Sequence, residues 1–266
     1  MDVRPFPALL LFGATCAQAS LLPLAHLDRQ TIEAFQAYAD RYEKTTDNEF
    51  AASGRLWIDS QSAAKRSVFE SGKVIAMVQE SMEVPGGHLH RIFGTVRVPG
   101  ATIDVVHREM QNYAKYQHVY APSVAASSGD LLPDSTPDDQ HYHVSLRLQQ
   151  TTFWLDVAFE TAYDTHYVRL DPRRSRTRSR SIGIREYRDA HNLGLGLYPE
   201  GDDHGFLWRI ATWWHARERD GGVDLELTNI TLTRSIPAGF GWWASRKARQ
   251  SVESLLHQTR MSLEAR

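Results

Sequence analysis

Between residues 141 and 233 the chain repeats one pattern four times, and that pattern leaves few folds open. Tyr142, Val144, Leu146 and Leu148 alternate with polar partners, and Phe153, Leu155, Val157 and Phe159 do the same. Phe206, Trp208, Ile210 and Trp214 continue it across "GFLWRIATWWHARERD", and Val223, Leu225 and Leu227 across "GGVDLELTNITLTRS". In an extended strand, residues two apart share a face, so each run has one apolar side and one polar side. The connections at Asp202 to Gly205 and at Asp220-Gly221-Gly222 have the chemistry of tight turns. The spacing predicts an antiparallel meander with one buried face.

Such a face needs a cover, and the C-terminal residues supply one. After Pro237 and two glycines, Ala248, Val252, Leu255, Leu256, Thr259 and Leu263 recur at helical spacing. They form an apolar stripe of about four turns. Upstream, "RQTIEAFQAYADRYEK" (29–44) carries Ile32, Phe35, Ala39 and Tyr42 on one side of a second amphipathic helix. "VIAMVQ" (74–79) and "HRIFGTVRVPG" (90–100) read as strands flanking the "PGG" turn at 85–87. Residues 101–122 read as a helix stopped by Pro122, and 127–140 as a loop or hairpin tip. A sheet with one apolar face and a long amphipathic helix predicts an α+β fold. The curved antiparallel sheet wraps around the C-terminal helix and leaves a cavity between them.

This layout resembles the helix-grip fold of the START-like (SRPBCC) superfamily, which includes polyketide cyclases and aromatase-like proteins. The resemblance is closest to uncharacterised secreted bacterial members. It rests on "GFLWRIATWWHARERDGGVDLELTNITLTRSIPAGFGWW" (205–243), on "SVESLLHQTR" (251–260), and on "TVRVPGATIDVVHREMQNYAKYQHVYAPSVAAS" (95–127). It spans roughly residues 90–264 and implies a hydrophobic cavity under the C-terminal helix, without naming an occupant.

The first residues, "MDVRPFPALLLFGATCAQAS", join a basic start, a short apolar run and the small-x-small site Ala17-Gln18-Ala19. The run is shorter than the ~20 residues that span a bilayer, so it reads as a secretory signal peptide rather than an anchor. The expected organisation is a signal peptide over 1–19, an N-terminal helix and leading strands over 20–88, and a helix-grip domain over 89–266. The chain is then exported, periplasmic or secreted, with no integral membrane span. Cleavage after Ala19 would remove Cys16, the single cysteine, and with it any disulfide or thiolate chemistry.

Thirty basic against 32 acidic residues give a formal charge of −2, which offers nucleic acid no global attraction. The arginine run in "DPRRSRTRSRSIGIREYRD" (171–189) alternates with Ser and Thr. It reads as a strand with Arg174, Arg176, Arg178 and Arg180 on one face, not as a nucleic-acid tail. That parity also puts Ile182 and Ile184 on the arginine face. A bulge near Ser181–Gly183, or a partner covering the outer face, is therefore expected.

Candidate site residues follow from the cavity. Trp208, Ile210, Trp214, Phe153, Leu155, Val157 and Leu146 on the sheet, with Leu255 and Leu256 on the helix, are expected to line it. Parity puts Trp213, Arg209 and His215 outside; a bulge would turn Arg209 inward as the partner of an acidic ligand group. His88/His90 and His141/His143 are H-x-H pairs that could offer two imidazoles to a metal. Each lies beside a turn with no convergent carboxylate in view, so solvated histidines and no metal are expected. Asp156 and Glu160 fall on the outer face by alternation. The sequence contains no G-x-S-x-G, P-loop or post-strand G-x-G-x-x-G, so no catalytic residue and no cofactor is assigned. The expected function is an exported protein holding a hydrophobic or amphipathic small molecule, lipid-like or polyketide-like. Two alternatives stand beside it. One is a cyclase- or hydrolase-like enzyme with titratable groups converging in the cavity. The other is a non-enzymatic envelope interaction protein with the cavity filled.

Overall fold

The alternating runs pair as antiparallel ladders in a computed structural model that describes residues 23–152, 155–235 and 241–265. The N-terminal part holds strand β1 (Ala25–His26) and helices α1 (Arg29–Tyr42), α2 (Asn48–Ser53) and α3 (Ala63–Glu70). The hairpin β2 (Ile75–Val84) and β3 (Gly87–Pro99) follows, then α4 (Ile103–Met110) and α5 (Tyr116–Val119). Next come β4 (Val124–Leu131), β5 (Asp139–Thr152), β6 (Leu155–Asp171), β7 (Arg174–Glu186) and the short β8 (Asp202–Asp203). The chain closes with β9 (Arg209–Arg219), β10 (Gly222–Thr233) and α6 (Gly241–Glu264). The main sheet has eight strands in the order β2-β3-β10-β9-β7-β6-β5-β4, while β1 pairs only with β8. β2 is the edge of this sheet, so residues 75–88 are continuous with the domain that follows them.

The fold is α+β, and α6 lies against the sheet's inner face as the helix-grip layout requires. Ile92, Val96, Val98, Trp214, Leu225 and Leu227 pack there with Val252, Leu256 and Leu263 of α6 and with Ile103, Val106 and Met110 of α4. Gly94 makes the closest approach possible. A Cβ on it would stand 2.4 Å from Leu256 Cδ1 and 2.8 Å from Val252 Cγ1, so α6 rests on bare backbone.

The segment expected as a single helix over 101–122 is broken. α4 ends at Met110, and Asn112 leaves the helical region (φ −84°, ψ 67°) before a short turn leads into α5. The break puts the Tyr113 ring over Gly129 and its hydroxyl 2.7 Å from that of Tyr167. Gly129 belongs to β4, so the stretch expected as a loop over 127–140 begins as an edge strand.

The outer face is also covered. α1 continues through a π-helical turn at Glu43–Asp47 into α2, and this layer meets the arginines of β7. Arg176 donates to Asp47 (2.9 Å), Arg178 to Glu43 (2.6 Å), and Arg180 to Asp40 and Glu43 (2.7 and 2.8 Å). Asp47 is fully buried and also accepts from His215 Nε2 at 3.0 Å, while the Phe50 ring stacks on that imidazole. Trp213 packs against Tyr42 with ring centroids 4.6 Å apart. Both devices expected near Ser181 are present. The register between β6 and β7 slips so that Ile182 has no partner, which returns Ile184 to the apolar side and leaves Ile182 exposed.

Asp47 is buried and holds both Arg176 and His215, so its loss leaves the Arg176 guanidinium without its ion-pair partner and the His215 ring without its acceptor. Asp47→Asn is expected to cost ~3–5 kcal/mol, read from urea midpoints. Arg180→Ala, whose ion pairs are a third to half exposed, should cost no more than about 1 kcal/mol. Equal effects would show that burial does not set the strength of this layer.

Candidate functional site

Along β10 the apolar residues change sides. Val223, Leu225 and Leu227 face α6, but the next inward positions are Asn229, Thr231 and Thr233, while Ile230 and Leu232 join the outer layer. The ladder to β3 runs unbroken through this exchange, so the strand passes from a packed core to a polar-dotted wall without changing register. That wall forms one side of a pocket of about 800 Å³ between the sheet and the N-terminal half of α6. Ile92, Val157, Ile210, Phe206, Val252 and Leu255 give it apolar surface. His90, Asn229, Thr231 and Lys247 contribute polar groups at its border. A few polar groups in a mostly apolar concavity suit an amphipathic small molecule.

The candidates from sequence divide accordingly. Ile210, Val157 and Leu255 line the pocket. Leu155 packs beside it with Leu148, Phe206 and Ile210, all of which border the space. Leu146, Trp214 and Leu256 lie in the adjoining core under the C-terminal half of α6. Phe153 lies outside the described residues. Trp208 sits in the opposite layer with Leu27, Phe35 and Trp213, its Nε1 donating to Asp203 Oδ1 at 3.0 Å. Its expected place beside Ile210 fails because β9 begins only at Arg209. Gly205, at φ +69°, turns the chain just upstream, so strand parity does not extend back to residue 208. Arg209 does not turn inward. Its guanidinium donates to the Trp208 carbonyl and pairs with Glu200 at 2.9 Å. Asp156 reaches the pocket rim beside His191, whereas Glu160 pairs with Arg147 and accepts from Tyr187.

The residues that sequence reasoning missed are the inward polar groups. The exchange of sides at Leu227–Ile230 was a readable signal for Asn229 and Thr231. His90 was recognised only as half of an H-x-H pair. It lies opposite Ser81 of β2 and Thr231 of β10, and it is 4% exposed. Ser81 Oγ stands 2.7 Å from His88 Nε2 and 3.2 Å from His90 Nδ1, and His88 Nδ1 lies 2.8 Å from Glu83 Oε1. Neither histidine of this pair is a free solvated ring.

No family model matches the sequence, and no curated protein matches it. Solved structures of START-type proteins are similar in outline. One is a STAR-related lipid transfer protein fragment from Xanthomonas axonopodis, with 16% identity and a TM-score of 0.46 over 71% of this chain and 98% of that one. Another is the Zhui aromatase/cyclase of a Streptomyces species, with 16% identity and a TM-score of 0.42 over 66% and 94%. The lipid transfer and protein localization domain of human StarD13 has 12% identity and a TM-score of 0.43 over 75% and 94%. Among the described residues, no helix is long and apolar enough to cross a membrane.

Burial, with His88 alongside, pushes the His90 imidazole down from 6.5 to about 4, and burial pushes His107 down equally far. The folded chain keeps these rings neutral while the unfolded chain protonates them near 6.5. Their contribution is complete above pH 6.5 and is lost as pH falls toward about 4, because the unfolded state then binds more protons. Urea midpoints should fall across that window, and His90→Gln should flatten the fall. An unchanged pH profile in that variant would remove His90 as a source.

Proposed function

We propose that this chain is an exported protein that binds a hydrophobic or amphipathic small molecule in the pocket under α6. The observation that carries this reading is the pocket itself. It is roughly 800 Å³ of space bounded by Ile92, Val157, Ile210 and Leu255, with polar groups of the sheet and of α6, among them Asn229, Thr231 and Ser251, also in its lining. Apolar burial of the ligand supplies affinity at ~25 cal/mol per Å², and Asn229, Thr231 and His90 orient its polar end. Export is supported by the apolar run and the Ala17-Gln18-Ala19 site of the N-terminus.

One experiment addresses both parts. The full chain is expressed in a Gram-negative host, purified from the periplasmic fraction and weighed by native mass spectrometry. The expected mass begins at Ser20 and carries a retained lipid-like molecule. Ala248→Trp, which fills the pocket from α6, should lower retention and the affinity for a fluorescent fatty acid at least tenfold. An uncleaved chain overturns export, and a ligand that ignores Ala248→Trp overturns the pocket.

A second reading, ester or thioester hydrolysis, is favoured by one observation: the relay Glu83–His88–Ser81. Ser81 Oγ would attack an acyl carbon while His88 Nε2 takes its proton and passes it to the leaving alcohol or thiol. Water would then release the acid by the same route. Glu83 would hold the His88 tautomer. Ser81→Ala and His88→Ala should each lower hydrolysis of nitrophenyl acyl esters by ~10²-fold or more. Wild-type turnover no faster than that of Ser81→Ala would eliminate this reading.

A further inference from the structure

The outer face of the sheet carries a second histidine cluster that the pocket does not use. Strands β5 and β6 each contain an Asp-x-His step, "DQH" at 139–141 and "DTH" at 164–166. The antiparallel register sets His141 directly opposite His166 and His143 opposite Asp164. Residues two apart share a face, so both aspartates lie on the same side as the imidazoles. The two rings stack with centroids 4.1 Å apart and planes 14° from parallel.

The hydrogen bonds give these rings a direction. His141 Nδ1 is 2.9 Å from both carboxylate oxygens of Asp134, and His166 Nδ1 is 2.9 Å from Asp139 Oδ1. A carboxylate accepts, so a proton on each Nδ1 would be donated outward, to Asp134 and to Asp139. The two Nε2 atoms are left facing the same oxygen. His141 Nε2 lies 3.1 Å, and His166 Nε2 3.4 Å, from Asp164 Oδ1.

From this geometry we infer that His141, His166 and Asp164 bind a divalent first-row transition-metal ion. The three ligand atoms lie within 4.8 Å of one another. Two ligands bound ~2.0 Å from a tetrahedral ion stand ~3.3 Å apart, which is the spacing Asp164 Oδ1 keeps from both nitrogens. Asp134 and Asp139 take the supporting role that carboxylates play behind metal-bound histidines, fixing the tautomer and raising ligand basicity. Three carboxylates, Asp134, Asp139 and Asp164, surround the two rings. Arg178 and Arg180 of β7, across the ladder from His166 and Asp164, are engaged by Asp40 of α1 and by Glu43 of the π-helical turn that follows it. The side chain of Asp164 is 47% exposed, so water has access to complete the coordination shell. Two imidazoles and one carboxylate suit Zn²⁺ or a similar ion rather than Ca²⁺ or Mg²⁺. The ion would bind Asp134 of the β4–β5 connection, through His141, to the middle of β6.

The test uses the full chain stripped of metal. Zn²⁺ titrated by calorimetry should bind with one-to-one stoichiometry and raise the melting temperature. Co²⁺ at the same site should show the intense visible bands of a tetrahedral complex. His141→Ala and Asp164→Asn should abolish both signals. Asp139→Asn, which leaves all three ligands in place, should weaken Zn²⁺ by 10–100-fold. His88→Ala, at the other histidine pair, should bind Zn²⁺ as wild type does. Circular dichroism of the variants separates lost binding from lost folding, and Asp139→Asn carries the test if a ligand variant unfolds. Absence of Zn²⁺ binding, binding that survives in a folded His141→Ala or Asp164→Asn, unchanged affinity in Asp139→Asn, or binding lost in His88→Ala would each overturn the assignment.

Discussion

Asp47 is the point on which the two layers of this protein are joined. Its carboxylate is completely buried, yet it accepts from Arg176 of β7 and His215 of β9, two strands of the main sheet. A lone charge there would be intolerable, and so would the Arg176 guanidinium without its partner. The N-terminal helices therefore have one register against the sheet, set by charge and not only by apolar fit. Asp224 acts similarly at the other end of the face. It is fully buried and gathers Arg97, Arg217 and Arg219 at 2.8, 3.1 and 2.6 Å. Arg176, Arg178 and Arg180 of β7 are ligands for Asp40, Glu43 and Asp47 of the N-terminal helical layer of the same chain.

Because the outer face is held this way, the inner face is free to be incompletely filled. The apolar side of β10 moves from the inner face to the outer face near Thr228, whose hydroxyl accepts from Tyr42 at 2.8 Å. Below that point Leu225 and Leu227 pack against the core that includes α6; beyond it Ile230 and Leu232 pack with Trp208 and Trp213. β10 stays buried or half-buried along its whole length, but the layer that buries it changes. What is left on the inner side is the pocket, with Asn229 and Thr231 in its wall.

Much of this could be read from the sequence, and the failures have physical causes. Period-two alternation identified the strands and the C-terminal stripe identified α6, because both reflect burial on one face. The bulge at Ser181–Gly183, or a cover on the outer face, followed from a clash of parities that either could relieve. Trp208 was misplaced because alternation was carried upstream of Arg209, where the chain was not yet a strand. The helix over 101–122 was drawn too long because Tyr113 has helical spacing but is held by Gly129 and Tyr167, both distant in sequence. His141 was dismissed for want of a carboxylate, and the carboxylates arrive from Asp134 and from the next strand. Contacts made across a sheet leave no mark on local periodicity.

The seat of α6 on Gly94 has a mechanical meaning. Val252, Leu256 and Leu263 lock the C-terminal half of the helix, whereas Ala244, Lys247, Ala248 and Ser251 of the other half border the pocket. The helix is thus a lever with its fulcrum at a residue that has no side chain. From Val252 to Trp242 the arm is ~15 Å long at 1.5 Å per residue. A tilt of about 10° would then carry that end ~3 Å while the fulcrum side chains hardly move. Trp242, 68% exposed, stands at the end that travels furthest. Such a tilt would change the width of the pocket while leaving the contacts of Val252, Leu256 and Leu263 in the core in place.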